Sequence, residues 1–176
     1  IRMWGVEIIH VSKNGKTETG NFGLRGVDPD HLELERTTLL SGRFLHTGDV
    51  DGAKKVAVVG PKIVQELFQN RDAVGAFIRL NGVLFQVVGT FEDPGSRWEN
   101  RVVYIPFTTA QSLFRSDDSM EQIILGTGVL TTEETVVQSA NMLSWLKDVK
   151  GVHPDDPRGV EAVSYTHLRA HETFAN

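Results

Sequence analysis

Apolar and polar positions divide this chain into short blocks, most of them the length of a strand. Gly5 to Ser12 is rich in β-branched residues, and Lys16 to Gly26 is a more polar partner. Asn14-Gly15 between them predicts a hairpin, because a tight primed turn needs positive φ at its central residues. Asp28-Pro29-Asp30 breaks the second block and starts a turn or short helix. Gly42 marks another turn. His46 to Ala53, with Gly48, Asp49, Asp51 and Gly52, reads as a polar loop.

Val56 to Val59 is continuously apolar, which predicts a buried strand. Pro61 then stands where a first helical turn tolerates a missing N–H. Ile63, Val64, Leu67 and Phe68 follow at helical spacing. Phe77 to Leu80 and Val83 to Phe91 flank Asn81-Gly82, a second hairpin signal. Val102 to Ile105 is a further strand ended by Pro106, and Thr108 to Phe114 a short helix. One common core is expected from Val56, Val58, Ile63, Leu67, Phe68, Ile78, Phe85, Val87 and Ile105.

Ile123 to Leu125 predicts a last strand and residues from Thr131 a last helix. Thr131-Thr132-Glu133-Glu134 has the spacing of a capping box. Val136, Ala140, Leu143 and Lys147 fall on one side, with Val137 and Leu146 beside them. This helix is expected to end near Gly151. Strands predominate and helices are short, so the order of elements predicts an α+β fold with largely antiparallel pairing.

Composition narrows the function classes. A formal net charge of −5 argues against nucleic acid as a partner, since phosphate binding needs a basic surface. Without cysteine there is neither a disulfide framework nor a thiolate metal site. No stretch approaches the roughly 20 apolar residues of a membrane-spanning helix.

Four fragments in fixed order carry a resemblance. They are GRFL at Gly42 to Leu45, KVAVVGPKIVQELF at Lys55 to Phe68, IRLNGVLFQVVGTFED at Ile78 to Asp93 and VVYIPFTTAQSLF at Val102 to Phe114. Together they resemble the extracytoplasmic core domain of MacB-like ABC transporter permeases, a group that includes FtsX-like and lipoprotein-releasing permeases. His153-Pro154-Asp155-Asp156-Pro157-Arg158 also resembles the segment that follows the last helix in many such permeases.

The resemblance implies a β-rich insert, called Sabre, at residues 29–117. It would be flanked by parts of a Porter-like α/β subdomain at 1–28 and 118–162. Gly75-Ala76-Phe77-Ile78 departs from the family pattern, which has a basic residue after the glycine. The first strand and helix of the Porter-like part are also missing, so the helix around Val136 to Leu146 is expected to pack incompletely.

Val163 to Thr173, VSYTHLRAHET, resembles the translation of a sequencing-library adapter. Residues 163–176 are therefore expected to be a non-native tail outside the core. With Ile1 at the other end, the chain reads as an internal fragment of a longer gene product.

The family resemblance further implies a non-catalytic domain, with no cofactor of its own, in the periplasm and attached to the inner membrane through flanking helices. Its implied partners are an ABC ATPase domain or subunit, a periplasmic adaptor protein, and a second permease in a homodimer or heterodimer. The competing classes are a secreted hydrolase or metal-binding protein and a soluble β-rich binding module.

Candidate chemistry is sparse. His167 and His171 have metal-ligand spacing but lie in the adapter-like run. His10, His31, His46 and His153 have no partner at ligand spacing and read as surface or capping residues. Asp49 and Asp51, like Asp117-Asp118 and Asp155-Asp156, lack the further oxygen ligands of a calcium loop and read as solvated turn carboxylates. Gly60-Pro61 could cradle an anion at a helix start, but no phosphate-loop lysine follows it. No G-x-S-x-G nucleophile motif occurs. Arg97, Trp98 and Arg101 are the candidate partner-binding residues, because Trp and Arg are enriched where partners dock. The opposing expectation is that Trp98 folds back onto the adjacent hairpin, as large aromatics tend to do.

Overall fold

The computed structural model describes residues 2–35, 37–94, 96–114 and 132–150. They belong to two units, Ile1–Leu125 and Gly126–Asn176. In the first, β1 (Arg2–Val11) and β2 (Thr17–Val27) form the antiparallel hairpin, with Gly15 at φ +81° in its turn. A short helix α1 (His31–Leu34) follows, then β3 (Thr38–Gly42), α2 (Thr47–Asp51), β4 (Val56–Val59) and α3 (Pro61–Phe68). β5 (Phe77–Leu80) and β6 (Val83–Glu92) form the second hairpin, with Asn81 at φ +46° and Gly82 at φ +84°. A 3₁₀ turn (Glu99–Arg101) leads into β7 (Val102–Pro106) and α4 (Phe107–Phe114).

The strands run in the order β3-β6-β4-β7-β2-β1-β5, and β5 pairs back onto β6. The sheet therefore closes on itself, with β3 added to the far part of β6. Its pairings are antiparallel except β2–β7 and β4–β6, which are parallel. The mixed α+β class is as expected. Hairpin chemistry announces antiparallel neighbours, whereas the two parallel pairs join strands far apart in sequence and have no local signal.

One element goes unannounced in the sequence, and one expectation needs correction. Residues 38–42 form a strand, which the bulged and unpatterned Thr38-Leu39-Leu40-Ser41 does not announce. β3 comes so close to β6 that a Cβ on Gly42 would collide with the Val88 carbonyl, and one on Gly89 with the Arg43 carbonyl. Glycine is required by contact here, not only by the turn. The correction is that residues 47–51 are helical, where a polar loop was expected.

The expected core is buried throughout but is not one cluster. β4 is buried on both faces. Ala57 and Val59 join Ile63, Leu67, Phe68, Ile78, Phe85, Val87 and Ile105, while Val56 and Val58 join Phe44, Phe91 and Tyr104. The alternation of side chains along a strand sends neighbours to opposite faces, and a four-residue apolar run does not reveal two cores.

Of the second unit, α5 (Thr132–Lys150) is described. Val136 and Val137, in the expected apolar stripe, are 60% and 59% exposed. Met142, Trp145 and Val149 form another exposed apolar set on a different face. Ile123 to Leu125, the capping residue Thr131 and the tail lie outside the described residues.

Candidate partner-binding surface

The segment between β6 and β7 is a clamped loop. The Asp93 amide donates to Asn100 Oδ1 at 3.0 Å, and Asn100 Nδ2 returns a bond to the Asp93 carbonyl at 3.2 Å. The Glu99 amide donates to Ser96 Oγ at 3.3 Å. These bonds hold the loop across its neck, as a strand pair would.

Glu99 anchors the loop from beneath. Arg25 Nη2 lies 2.7 Å from Glu99 Oε1, and the Tyr104 hydroxyl donates to Glu99 Oε2 at 3.0 Å. Arg25 and Tyr104 are register partners on the parallel pair β2–β7, so the pairing itself places both groups beneath the loop. Burial pushes the Tyr104 hydroxyl far above its ordinary pKa, and the adjacent Glu99 charge adds to this. Tyr104 is in turn stacked on Phe91 at 4.3 Å and meets the His31 ring edge-on at 4.9 Å. His31 is thus a core residue, a correction to its reading as surface or cap. Burial, with the Arg25 charge second, lowers its pKa to about 4.

Above this anchor, the structure divides the expected triad. Trp98 is 71% exposed, and its ring meets Trp4 at 6.4 Å in an edge-on arrangement. It therefore leans on the first hairpin and does not fold back onto the β5–β6 hairpin. Arg97 is exposed beside it and has no ion-pair partner among the described residues. Arg101 turns the other way, with Nη1 2.8 Å from Glu66 Oε1 on α3 and its guanidinium 5.2 Å from the centre of the Phe22 ring.

Trp4 and Arg2 replace Arg101 in the surface group. Trp4 is 54% exposed, and the Arg2 guanidinium lies 6.0 Å from its ring centre. By strict alternation Trp4 would share the core face with Val6 and Ile8. A bulge between Met3 and Val6, with Gly5 at φ +70°, turns it outward. A Cβ on Gly23 would lie 3.0 Å from the Trp4 ring, so the missing side chain leaves room for the indole on the sheet. The one sequence signal for this was Gly5 inside a strand pattern. Arg2, Trp4, Ser96, Trp98 and Glu99 line a shallow recess of about 450 Å³.

The other candidates resolve differently. Asp49 is fully buried, which corrects its reading as a solvated turn carboxylate. Arg43 Nη1 donates to its Oδ2 at 2.6 Å, the His46 amide donates at 3.2 Å, and Lys54 Nζ lies 3.4 Å away. Burial raises the Asp49 pKa, but the Arg43 and His46 hydrogen bonds and charges outweigh it and lower the pKa below the ordinary carboxylate value. α2 forms because this carboxylate caps its own first turn while three cationic or ionisable neighbours balance the charge.

At Gly60 the N–H donates to the Val102 carbonyl at 3.1 Å, and a Cβ would lie 2.6 Å from the Asn100 carbonyl. The Gly60 N–H is thus already bonded, and the loop's backbone covers its α-carbon. Among the described residues no three His, Asp or Glu side chains are grouped to hold a metal. His153, His167, His171, Asp117, Asp118, Asp155 and Asp156 lie outside the described residues.

Comparison with known proteins gives the setting. The model of the MacB-like periplasmic core domain matches residues 3–142. The macrolide export ATP-binding/permease protein MacB of Syntrophobacter fumaroxidans is 26% identical over 142 residues, covering 78% of this chain and 19% of that protein. The pyoverdine export ATP-binding/permease protein PvdT of Pseudomonas syringae pv. tomato is 38% identical over 84 residues, covering 44% of this chain and 13% of that protein. The chain thus spans about a fifth or less of the length of these relatives. The crystal structure of the periplasmic region of MacB from Actinobacillus actinomycetemcomitans superposes with a TM-score of 0.66 at 21% identity. It covers 85% of this chain and 64% of that one.

Proposed function

Since the chain belongs to the family of MacB-like periplasmic core domains, we propose that it is the extracytoplasmic part of an inner-membrane ABC permease. In this reading it makes and breaks no covalent bonds. It passes motion driven by a cytoplasmic ATPase domain or subunit to a periplasmic adaptor protein or to the cargo. A second permease, identical or related, would stand beside it, and helices flanking this segment would hold it to the membrane. Residues 29–117 would form the Sabre-like insert and 1–28 with 118–162 the Porter-like part.

The match over residues 3–142 carries this reading. The named relatives combine ATP binding with a permease in one protein, and this chain corresponds to a small share of each. Within the described residues no helix is long and apolar enough to cross a membrane, as suits a segment between spans. Arg97 and Trp98 are the side chains assigned to partner contact, with Arg101 in support of the loop.

The test is topological. The full-length gene product, tagged within this domain, should fractionate with the inner membrane. Protease added to spheroplasts should cut the domain while a cytoplasmic control stays intact. A product that fractionates as a free soluble protein would overturn the proposal in favour of a secreted enzyme or binding module.

A further inference from the structure

We propose that the recess between Trp4 and Trp98 docks an apolar side chain from a partner protein's segment, with a carboxylate next to it. This rests on the reading of the chain as a domain that binds proteins and does no chemistry, and it adds the chemistry of what is bound.

Three observations carry it. The two indoles are each more than half exposed and meet edge-on at 6.4 Å, Trp98 carried on a loop clamped at its neck and Trp4 turned outward by the bulge over Gly23. A large rigid ring with few torsions loses little entropy when a partner arrives, which is what makes Trp effective at the centre of an interface. The recess between them, about 450 Å³ and open to solvent, has room for one or two side chains.

Charge selects the partner. Arg97 lies next to Trp98 with no ion pair among the described residues, and Arg2 lies over Trp4. The acid at the recess, Glu99, is already matched by Arg25 at 2.7 Å, by the Tyr104 hydroxyl and, at 3.8 Å, by Arg2. Arg2, Arg25 and the neighbouring Arg97 against Glu99 leave the surroundings of the recess net cationic on a chain whose net charge is −5. A partner carboxylate beside an apolar anchor would complement that charge. An anionic lipid surface shares the charge preference, but it is flat, and the overall negative charge of the chain opposes approach to it. The concave site favours the protein segment.

The experiment uses two dye-labelled synthetic peptides of equal length, one alternating leucine with aspartate and the other leucine with lysine, and phosphatidylglycerol vesicles. Anisotropy titration should show the acidic peptide binding this chain, more weakly as salt is raised. Trp98→Ala should weaken it about tenfold and Arg97→Glu by a similar factor. Both variants should keep the parent melting temperature, since both side chains are exposed. Absence of acidic-peptide binding, equal binding of the lysine peptide, or binding unchanged in Trp98→Ala would overturn the proposal. So would Trp98-dependent sedimentation with vesicles in place of peptide binding. None of these results bears on where the full-length protein fractionates, so the topological reading stands or falls separately.

Discussion

Residues 46–53, which contain α2, and the loop at 93–101 look alike in sequence, each with glycine and two acids, and each sends one carboxylate into the fold. Asp49 meets Arg43 at 2.6 Å and Glu99 meets Arg25 at 2.7 Å. They differ in where the arginine sits and in what faces outward. Arg43 is 43% exposed and can turn to water, whereas Arg25 is 9% exposed and cannot. The first segment shows solvent mainly polar and small groups, with Val50 half-buried. The second shows it a tryptophan beside Arg97, which has no ion pair among the described residues. An anchored acid is thus a structural device common to both, and the side chains left outside carry the difference in function.

That contrast makes removal of Glu99 the most damaging change. Glu99→Ala leaves Arg25 buried without its counter-charge and Tyr104 without its acceptor. A loss of roughly 3–5 kcal/mol is expected, the range for a buried pair stripped of one partner. Chemical denaturation checks it. A loss below about 1 kcal/mol would mean that Arg25 reaches water and that the two loops are anchored alike.

The same anchor should respond to pH through His31. Its folded pKa of about 4 lies below the ordinary 6.5, so between these values the unfolded chain binds a proton that the folded chain does not. Stability is then full above pH 6.5 and falls as pH drops towards 4, by roughly 3 kcal/mol at most. Denaturation midpoints across this range should fall less in His31→Phe, which has no proton to take up. An identical decline in the variant would assign the effect to groups other than His31, and not to Asp49, whose lowered pKa puts its loss below this range.

Asp49→Ala should cost less than Glu99→Ala, about 2 kcal/mol, because the half-exposed Arg43 and Lys54 can return to water. Asp51→Asn, in the same helix but exposed, should stay within about 0.5 kcal/mol. Equal effects at the two aspartates would return residues 46–53 to the solvated loop that their composition suggests.

How much of this was legible follows from how local each cause is. Asn14-Gly15 and Asn81-Gly82 identify both hairpins, because a primed turn depends on its own two residues. Pro61 and the spacing of Ile63, Leu67 and Phe68 identify α3 for the same reason. β3 is hidden because the backbone contact between Gly42 and Gly89 joins two distant segments. His31 and Asp49 are misread because their burial depends on Tyr104, Arg43 and Lys54, which no spacing connects to them. At the candidate site Trp98 and Arg97 are legible by residue type. Trp4 is not, since alternation assigns it to the core until the bulge at Gly5 is seen.

Among the changes considered, the smallest stability effect is expected at the most exposed large apolar side chain of the described residues. Trp98 meets the Trp4 ring edge-on, and a single edge-on aromatic contact is worth about 0.5–1.5 kcal/mol at its best. At 71% exposure most of that is lost to water, so Trp98→Ala should change stability by about 0.5 kcal/mol or less. Trp4→Ala should cost more, about 1 kcal/mol, because its indole also covers the sheet at Gly23. Paired denaturation curves for the two variants, with the double variant to close the cycle, measure how strongly the rings depend on each other. A large cost at Trp98 would make it a structural plug like Asp49, and the contrast between the loops would disappear. Near-neutrality at Trp98, with stability unchanged, leaves a ring that the fold displays without needing it.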